Sequence, residues 1–375
     1  MAKRANSEGS VYQRKKDKRW VAALVMDDGR RKTFYASTRA EASKLLTAAN
    51  KKKDDGLPLT SDRRTVQQFL EEWHAGARAG LRPRTAVRYE QLLRVHCYPH
   101  VGGLPLSKAT PAKFQALFAD RLAAGAAPAS IRQLRAVMKR GFKMGVLWGQ
   151  LARNPLEGVS APKVERKEIT VLSMPEIGRF IEVAQADRLA ALWTLLITSG
   201  CRLGEALALT WKHIDLGENA SMKIVGTLQP LPDGLTICEP KTDRSRRTVP
   251  LTATAAEALR RHKVRQNEER LAFPGTWQRP DHVFVGPGGS YIDGRSLRHV
   301  FEPILSSAGL PRLRLHDLRH AAISAMLAQG IAPTVVAELV GHSTPMLTLN
   351  VYGHTLEGQG RGAVAILDAA LASGR

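Results

Sequence analysis

Cysteine is scarce in this sequence, with only Cys97, Cys201 and Cys238 among 375 residues. Their number is odd, they are widely separated, and none stands in a Cys-x-x-Cys pair. The sequence therefore favours neither a disulfide framework nor a zinc site, and this usage fits a reducing cytoplasm.

Long apolar runs are also missing, because no stretch reaches the roughly 18 consecutive apolar residues that indicate a membrane-spanning helix. Residues 1–10, MAKRANSEGS, lack the apolar stretch of a secretory signal. Aromatic residues make up only 6% of the chain, but hydrophobic residues make up 43%, which is enough to form buried cores. We therefore expect a cytoplasmic protein without a membrane span.

Acidic residues are outnumbered by basic ones, 34 against 56, so the formal net charge is +22. A field of this strength attracts a polyanionic partner such as DNA. The charge is uneven: +8 for residues 1–60, +10 for residues 61–160 and +4 for residues 161–375. Most of the attraction therefore comes from the first two-fifths of the chain.

The length predicts two or three domains, and the pattern changes first near residue 55. Within residues 1–55, WVAALVM at 20–26 and KTFY at 32–35 are strand-like, and the Asp28-Gly29 turn signal lies between them. The capping-box pattern Thr38-Arg39-Ala40-Glu41 predicts a helix that follows the strands. We expect a small α+β domain, a sheet with one helix, and then a linker that begins at Lys51.

Residues 61–160 predict an all-α domain. In TVQQFLEEWHAGA, Val66, Phe69, Leu70 and Trp73 fall on one helical face, and further amphipathic segments follow up to residue 148. The third segment, residues 168–375, is mainly α, with a capping box at Ser173, a buried helix at 189–200 and later helices up to residue 340. Three strand-like stretches, SMKIVGT, LTICEP and RRTVPL, predict a small antiparallel sheet within it.

Basic residues crowd the first two domains, and DNA contact is one interpretation, a solvated charged face the other. In the first domain the candidates for DNA contact are Arg14, Lys15, Lys16, Lys18, Arg19, Arg30, Arg31 and Lys32. In the second domain they are Arg82, Arg84, Arg88, Arg132, Arg135, Lys139, Arg140 and Lys143.

Two basic residues of the third segment are candidates for phosphate chemistry. Arg202 follows the buried helix directly and can present a planar fork to a phosphate, although an ion pair with Glu205 is the alternative. Lys241 lies between strands, where a lysine at a hairpin tip is ordinarily a solvated charge. A mobile ammonium is also a suitable general acid for a departing oxygen.

Further candidates lie near the C-terminus of the sequence. His316 and Arg319 are three residues apart, so on a helix they share one face and can serve one phosphate. We expect the neighbouring Asp317 and His320 to hold local structure. His342 is interpreted either as a phosphate donor or as a helix cap, and Tyr352 closes the run GHSTPMLTLNVYGH.

The composition of this set suits attack on a phosphodiester without a metal ion. A phenol with a pKa near 10 is a poor nucleophile, so it needs a base for its proton and cations for the developing charge. The order and context of the set resemble the tyrosine recombinase (phage integrase) family. The matching segments are TSGCRLGEALAL, PKTDRSRR, LHDLRHAAIS and VGHSTPMLTLNVYGH.

The resemblance implies that residues 168–375 form a catalytic domain, in which Tyr352 forms a 3′-phosphotyrosyl bond and releases a 5′-hydroxyl. Arg202 and Arg319 then stabilise the transition state and Glu205 orients Arg202. By the same resemblance, His342 donates a hydrogen bond to the phosphate, His316 accepts the phenol proton, and Lys241 donates a proton to the leaving oxygen. No cofactor is implied.

The resemblance also implies a core-binding (SAM-like) domain at 61–160 and an arm-type DNA-binding domain at 1–55. It implies a homotetramer on double-stranded attachment sites, with a directionality factor and a host DNA-bending protein as partners. The C-terminal segment GAVAILDAALAS predicts a short apolar helix; packing in the core of its own chain is the default interpretation, and docking on a neighbouring protomer is what the resemblance implies. Two alternatives stay open: a type IB topoisomerase-like strand-passing enzyme, and a catalytically silent DNA-binding protein.

Overall fold

The chain forms two compact units, residues 1–166 and residues 167–375, in the computed structural model. The structure describes residues 9–26, 29, 31–54, 64–164, 172–239, 246–342, 344–352, 364, 371 and 372.

The first unit begins with an antiparallel sheet in the order β1-β2-β3, formed by β1 (Ser10–Gln13), β2 (Trp20–Val25) and β3 (Arg31–Ala36). Helix α1 (Arg39–Asp54) packs on it, and the buried residues between them include Ala22, Leu24 and Leu46. The predicted sheet and helix are therefore confirmed.

The start of the predicted linker was wrong. Helix α1 continues to Asp54, so Lys51 to Asp54, which the sequence suggested as linker, belong to this helix. The preceding residues, KLLTAAN, favour a helix, and the three lysines extend it because lysine also has a good helix propensity.

The remainder of the first unit is a helical bundle of α2 (Val66–Arg78), α3 (Pro83–His96), the short α4 (Tyr98–Val101), α5 (Pro111–Ala123) and α6 (Pro128–Leu147). Its core contains the predicted α2 face, Val66, Phe69, Leu70 and Trp73. Proline in the first turn of α3, α5 and α6 suits these starts, because the missing N–H would be unpaired there anyway. The bundle is the predicted all-α fold.

The second unit opens with α7 (Met174–Ala184), whose predicted Ser173–Glu176 capping box is present. The apolar segment that follows forms α8 (Ala190–Ser199), which is almost entirely buried in the core of this unit. Gly200 ends it with a positive φ of 63°, a conformation in which glycine is favoured because a Cβ would be strained. This turn leads directly into Arg202 and the short α9 (Leu203–Leu207).

The three predicted strands of the second unit are present, but together with two further strands they form two small antiparallel sheets and not one. Strands β4 (Ile214–Asp215), β5 (Ser221–Ile224) and β8 (Arg247–Pro250) make one sheet, and β6 (Thr227–Leu231) pairs only with β7 (Gly234–Cys238) in the other. The described strands on either side of Lys241 are not paired with each other, since β7 pairs with β6 and β8 with β5, and Lys241 itself lies outside the described residues. Turn Pro232-Asp233-Gly234 explains the difference, because it closes the β6–β7 hairpin locally.

Five further helices follow among the described residues of the second unit: α10 (Ala253–Ala272), α11 (Arg298–Ser307), α12 (Asp317–Ala328), α13 (Pro333–Val340) and α14 (Pro345–Tyr352). Helix α8 contacts α7, α10 and α12, so it is the central element of the unit. Predictions for Asp28, Arg30, Lys241 and most of the C-terminal helix concern residues outside the described ones.

Candidate active site

Three chain turns bring the predicted site residues together within the second unit. Gly200 ends α8 just before Arg202, His316 and Arg319 stand at the start of α12, and Gly341 ends α13 just before His342. Hydrogen bonds connect these turns: Arg319 Nη1 donates to the Gly200 carbonyl at 2.7 Å, and Arg202 Nη2 donates to the Gly341 carbonyl at 3.2 Å. Arg202, Arg319 and His342 therefore belong to one site.

Glu205 is the buried anion of this site. Its carboxylate accepts from Arg202 Nη1 at 2.7 Å and from the Arg202 backbone N–H at 2.9 Å. It also accepts from Arg247 Nη2 at 2.9 Å. Burial works to raise the pKa of Glu205, but the hydrogen bond and charge of Arg247, with the charge of Arg202, lower it below its usual value. Glu205 is therefore an ionised carboxylate that holds two guanidinium groups.

The C-terminal end of α13 binds three arginines through successive carbonyl oxygens. Arg247 Nε donates to Leu339 at 2.7 Å, Arg319 Nη2 donates to Val340 at 2.8 Å, and Arg202 donates to Gly341. The last carbonyls of a helix have no partner within the helix, and they form the negative end of its dipole. They therefore bind cations well, and here they set the positions of all three side chains.

Arg319 is more deeply buried than Arg202, with 3% of its surface exposed. Burial and the nearby charge of Arg202 lower the pKa of its guanidinium to about 10. A group with this pKa still carries a full positive charge at neutral pH. Its two hydrogen bonds to carbonyl oxygens compensate part of the loss of hydration.

His316 is neutral at pH 7. Burial, followed by the charges of His320 and Arg319, lowers its pKa to about 4. Its ring lies 5.0 Å from that of His320 in an edge-to-face arrangement. A neutral imidazole has one nitrogen that accepts a proton, which is the state that a general base requires.

His342 has the same electrostatic environment, and its pKa is lowered to about 4 by burial and by the charges of Arg319 and Arg202. Its Nδ1 lies 2.8 Å from the hydroxyl of Thr348, a buried residue of α14. When that hydroxyl donates to Nδ1, the proton of the neutral ring is on Nε2, which can then donate to a phosphate oxygen.

Asp317 holds local structure, as the sequence predicted. Its carboxylate accepts from the Arg314 backbone N–H at 2.7 Å and from Arg314 Nη2 at 2.7 Å. It thereby fixes the start of α12 between His316 and Arg319.

Of two further predicted site residues, the structure describes only the backbone of one and nothing of the other. Tyr352 is the last residue of α14, four residues after Thr348, and its side chain lies outside the described residues. Lys241 lies outside them altogether. The fold therefore places the backbone that carries the phenol on the same helix that holds His342.

Sequence reasoning missed Arg247 and Thr348. A signal for Arg247 was present, because alternation along β8 puts it on the same side as the buried Val249. For Thr348 no such signal exists in the sequence, since one hydroxyl in an apolar helix has no distinctive pattern.

The predicted DNA-contact residues of the first unit are mostly on its surface. Arg14, Lys15, Lys16, Lys18 and Arg19 are exposed and lie after β1 and in its connection to β2, so this part of the charge is on a turn and not on the sheet face. Arg31 and Lys32 open β3, with Arg31 exposed and Lys32 half-buried.

In the helical bundle, most of the predicted residues are exposed, and Arg88 and Arg135 bond to other residues of the bundle. Arg88 Nε donates to Gln133 at 3.1 Å, and Arg135 Nε donates to the Val159 carbonyl at 2.8 Å. Both side chains are half-buried. The exposed ones are Arg82, Arg84, Arg132, Lys139, Arg140 and Lys143.

Two features of other protein classes are missing from the part of the chain that the structure describes. No group of three or more His, Cys, Asp or Glu side chains is arranged to hold a metal ion there. Among the same residues, no helix is both long and apolar enough to cross a membrane.

The chain matches two family models. The phage integrase family model matches residues 170–358, which is half of the chain and includes Glu205 and every predicted catalytic residue. The model of the phage integrase N-terminal SAM-like domain matches residues 65–123, within the helical bundle.

Individual relatives are distant in sequence but similar along most of their length. A tyrosine recombinase XerC-like protein of Caldanaerobacter subterraneus is 28% identical over 90% of this chain and 91% of its own length.

Two solved structures have the same fold. The Tn1549 transposon integrase in complex with a circular intermediate DNA matches with a TM-score of 0.68 and 20% identity, covering 81% of this chain and 99% of that one. The lambda integrase tetramer bound to a Holliday junction matches with a TM-score of 0.56 and 15% identity, covering 93% and 96%.

Proposed function

The chain belongs to the phage integrase family of tyrosine recombinases, and we propose that it cuts and rejoins DNA through a covalent bond between Tyr352 and a 3′-phosphate. The phenolic oxygen attacks the scissile phosphorus, the bond from phosphorus to the 5′-oxygen breaks, and a 5′-hydroxyl leaves. Attack by the 5′-hydroxyl of another strand reverses these steps and releases the tyrosine. Because the phosphodiester is exchanged and not hydrolysed, the reaction needs no ATP.

Arg202, Arg319 and His342 bind the scissile phosphate in this proposal. The observation that carries it is their convergence on the end of α13, where hydrogen bonds fix both guanidinium groups beside His342. Negative charge accumulates on the non-bridging oxygens in the transition state, and pre-positioned cations stabilise it without reorganisation. His342 adds a hydrogen bond from Nε2.

The two proton transfers are assigned to His316 and Lys241. His316 accepts the phenol proton in this proposal, and its lowered pKa leaves the ring unprotonated, and so able to accept, at neutral pH. Lys241 donates a proton to the departing 5′-oxygen. Glu205 orients Arg202 through the two hydrogen bonds described above.

The substrate is double-stranded DNA with attachment sites, and the product is integrated or excised element DNA. We assign residues 1–55 to arm-type sites and residues 61–160 to core sites because these segments carry most of the net charge. The lambda integrase tetramer on a Holliday junction supports a homotetramer on DNA here as well. A directionality factor, a host DNA-bending protein and a bacterial cytoplasmic setting complete the proposal.

A nicked suicide substrate tests the nucleophile. Once the junctions of the element with host DNA have been mapped, a duplex of that sequence, nicked just 3′ of the scissile phosphate, is incubated with the protein. We expect a covalent protein–DNA complex that resists denaturation, and none with Tyr352→Phe, because the nucleophilic oxygen is missing.

The matched control is Tyr291→Phe, which removes a phenol oxygen elsewhere in the same unit, where the ring packs on Arg279. It should form the complex at the wild-type rate. A complex formed by Tyr352→Phe would refute the assignment of the nucleophile, and no complex with the wild-type chain would refute the enzymatic function.

A further inference from the structure

Arg247 is a buried arginine whose position is set by strand β8. It is the first residue of β8 and pairs with Ile224 of β5. Its neighbour Arg246 points to solvent and is 55% exposed, whereas the Arg247 side chain is 6% exposed. A charged side chain at this depth is stable only with partners that replace its lost hydration.

Those partners belong to the proposed phosphate site. Arg247 Nη2 donates to Glu205 at 2.9 Å, and Arg247 Nε donates to the Leu339 carbonyl at 2.7 Å. One guanidinium thus joins the carboxylate that holds Arg202 to the end of the helix that precedes His342. A lysine has a single nitrogen and cannot bridge both acceptors with the same planar geometry.

The charges of this group explain why the bridge matters. Arg202 and Glu205 alone sum to zero, and a buried carboxylate that is 2.7 Å from the arginine would weaken its attraction for a phosphate. With Arg247 included, the three groups carry one net positive charge. Arg247 also approaches the turn closely, since a Cβ on Gly341 would lie 2.6 Å from its Nη1.

We propose that Arg247 is a positioning residue of the reaction, which neutralises Glu205 so that Arg202 keeps its full charge for the scissile phosphate. It also holds the α13 carbonyl end to which Arg202 and Arg319 bind. The proposal rests on the proposed function, because it assigns Arg247 a part in that same phosphate site.

The test is the single-turnover rate of covalent complex formation on the nicked duplex, with protein in saturating excess. In Arg247→Gln the buried Glu205 charge is balanced by Arg202 alone, so we expect the rate to fall about 30-fold, less than the roughly 10²- to 10³-fold of a lost direct contact with the transition state. The double variant Glu205→Gln/Arg247→Gln removes the carboxylate charge as well and keeps an acceptor for Arg202. It should react about 10-fold faster than Arg247→Gln alone, because the repulsion of the phosphate is removed.

That restoration separates electrostatic positioning from support of the fold. If Arg247 merely supported the fold, removing a second member of the network would leave the rate as low or lower. The double variant also buries no unpaired charge, so it keeps the test valid if Arg247→Gln fails to fold: its rate should then lie within about 10-fold of wild type. Arg247→Lys, which keeps the charge but one contact only, should lose about fivefold.

Arg246→Gln is the matched control, because it removes one charge from the adjacent, exposed position. It should react within about twofold of wild type, as expected for an exposed charge that is screened by solvent. An unchanged rate for Arg247→Gln, no restoration in the double variant, or an equal loss for Arg246→Gln would overturn the proposal. Failure of the wild-type chain to form any complex would instead refute the proposed function.

Discussion

Arg202 and Arg319 have identical side chains but differ in their surroundings. Arg202 is 42% exposed and ion-paired with Glu205, whereas Arg319 is buried and bonded to two backbone carbonyls. Each guanidinium has five N–H donors, so each retains donors for a substrate beyond the bonds described above. Arg202 is thus the more accessible of the two guanidinium groups, and Arg319 is the more firmly fixed.

The lowered pKa of His316 predicts how the reaction depends on pH. At limiting DNA concentration, the pH dependence of the rate reflects the pKa values of the protein without DNA. A base with a pKa of about 4 stays unprotonated down to pH 5.5. We expect the His316 contribution to change less than about twofold between pH 7.5 and 5.5, whereas an imidazole of ordinary pKa near 6.5 would lose about 10-fold.

Dividing the wild-type rate by the rate of His316→Asn at each pH isolates this contribution. The Asn variant lacks the base but shares every other titrating group, so changes in DNA binding cancel in the ratio. A ratio that falls with a midpoint near 6.5 would contradict the lowered pKa.

At the residue scale the sequence was informative where a side chain is chemically unusual in its context. Arg202, His316, Arg319 and His342 could be proposed because basic residues at the ends of apolar helices stand out, and the structure places them in one site. Arg247 lies within PKTDRSRR but was not singled out, because alternation along the strand places it on the side of Val249 without telling which partner strand buries that side. Only the pairing of β8 with β5 decides that.

At the scale of elements, glycine-ended helices position the site. Helices α8 and α13 both end at a glycine of positive φ; Arg202 follows Gly200 after one residue, and His342 follows Gly341 directly. The turn at Gly341 is also crowded by Arg247, so both its conformation and its size are restricted. The Gly341 turn is therefore constrained both by its own backbone conformation and by its contact with Arg247.

Gly341→Ala should therefore destabilise the second unit more than an equivalent glycine substitution elsewhere. Gly330, just after α12, has a similar φ of 80° but nothing within 4 Å of an added Cβ, so Gly330→Ala measures the backbone strain alone, about 1 kcal/mol. For Gly341→Ala we expect about 2–4 kcal/mol, because the Arg247 guanidinium must also move. Thermal or urea unfolding of the two variants provides the comparison.

The same pair of variants should differ in cleavage. Gly341→Ala displaces the carbonyls that hold three arginines and should slow formation of the covalent complex, while Gly330→Ala should not. Equal losses of stability in both variants would show that the guanidinium adapts and that the turn is not tightly constrained.

Elements were predictable from the sequence where their signals are local. Helix caps, apolar periodicity and the β6–β7 turn are each contained within a few neighbouring residues. Sheet membership is not local: β5 skips two strands to pair with β8, and the residue that this pairing buries is Arg247. The extension of α1 through Lys51 was missed because a charged run reads equally well as a helix end or as a linker.

At the scale of the whole molecule, the net charge and the candidate chemistry reside in different units. Residues 1–160 carry +18 of the total net charge of +22, while the residues of the proposed active site begin at Arg202. Binding strength and reaction rate should therefore respond to different substitutions. A phosphate contact far from the reacting atoms positions the protein on DNA without changing the chemistry.

Salt dependence of DNA binding tests this division. The variant Lys15→Gln/Lys16→Gln/Arg19→Gln removes three exposed charges from the connection between β1 and β2. If these residues contact DNA, the slope of log K against log salt concentration should become less negative by about 2 to 3, since each neutralised phosphate contributes about 0.9. Deletion of residues 1–60 should change it at least as much.

The control removes three arginines from the second unit: Arg260→Gln/Arg261→Gln/Arg298→Gln. These side chains are also exposed, but each is paired with a glutamate of its own helix, so the slope should change by less than about 1. Both sets lower the net charge equally, and any difference between them therefore reports phosphate contact and not the overall field. Equal slopes for the two variants would mean that the basic turn is a solvated surface, and the arm-type assignment of residues 1–55 would be wrong.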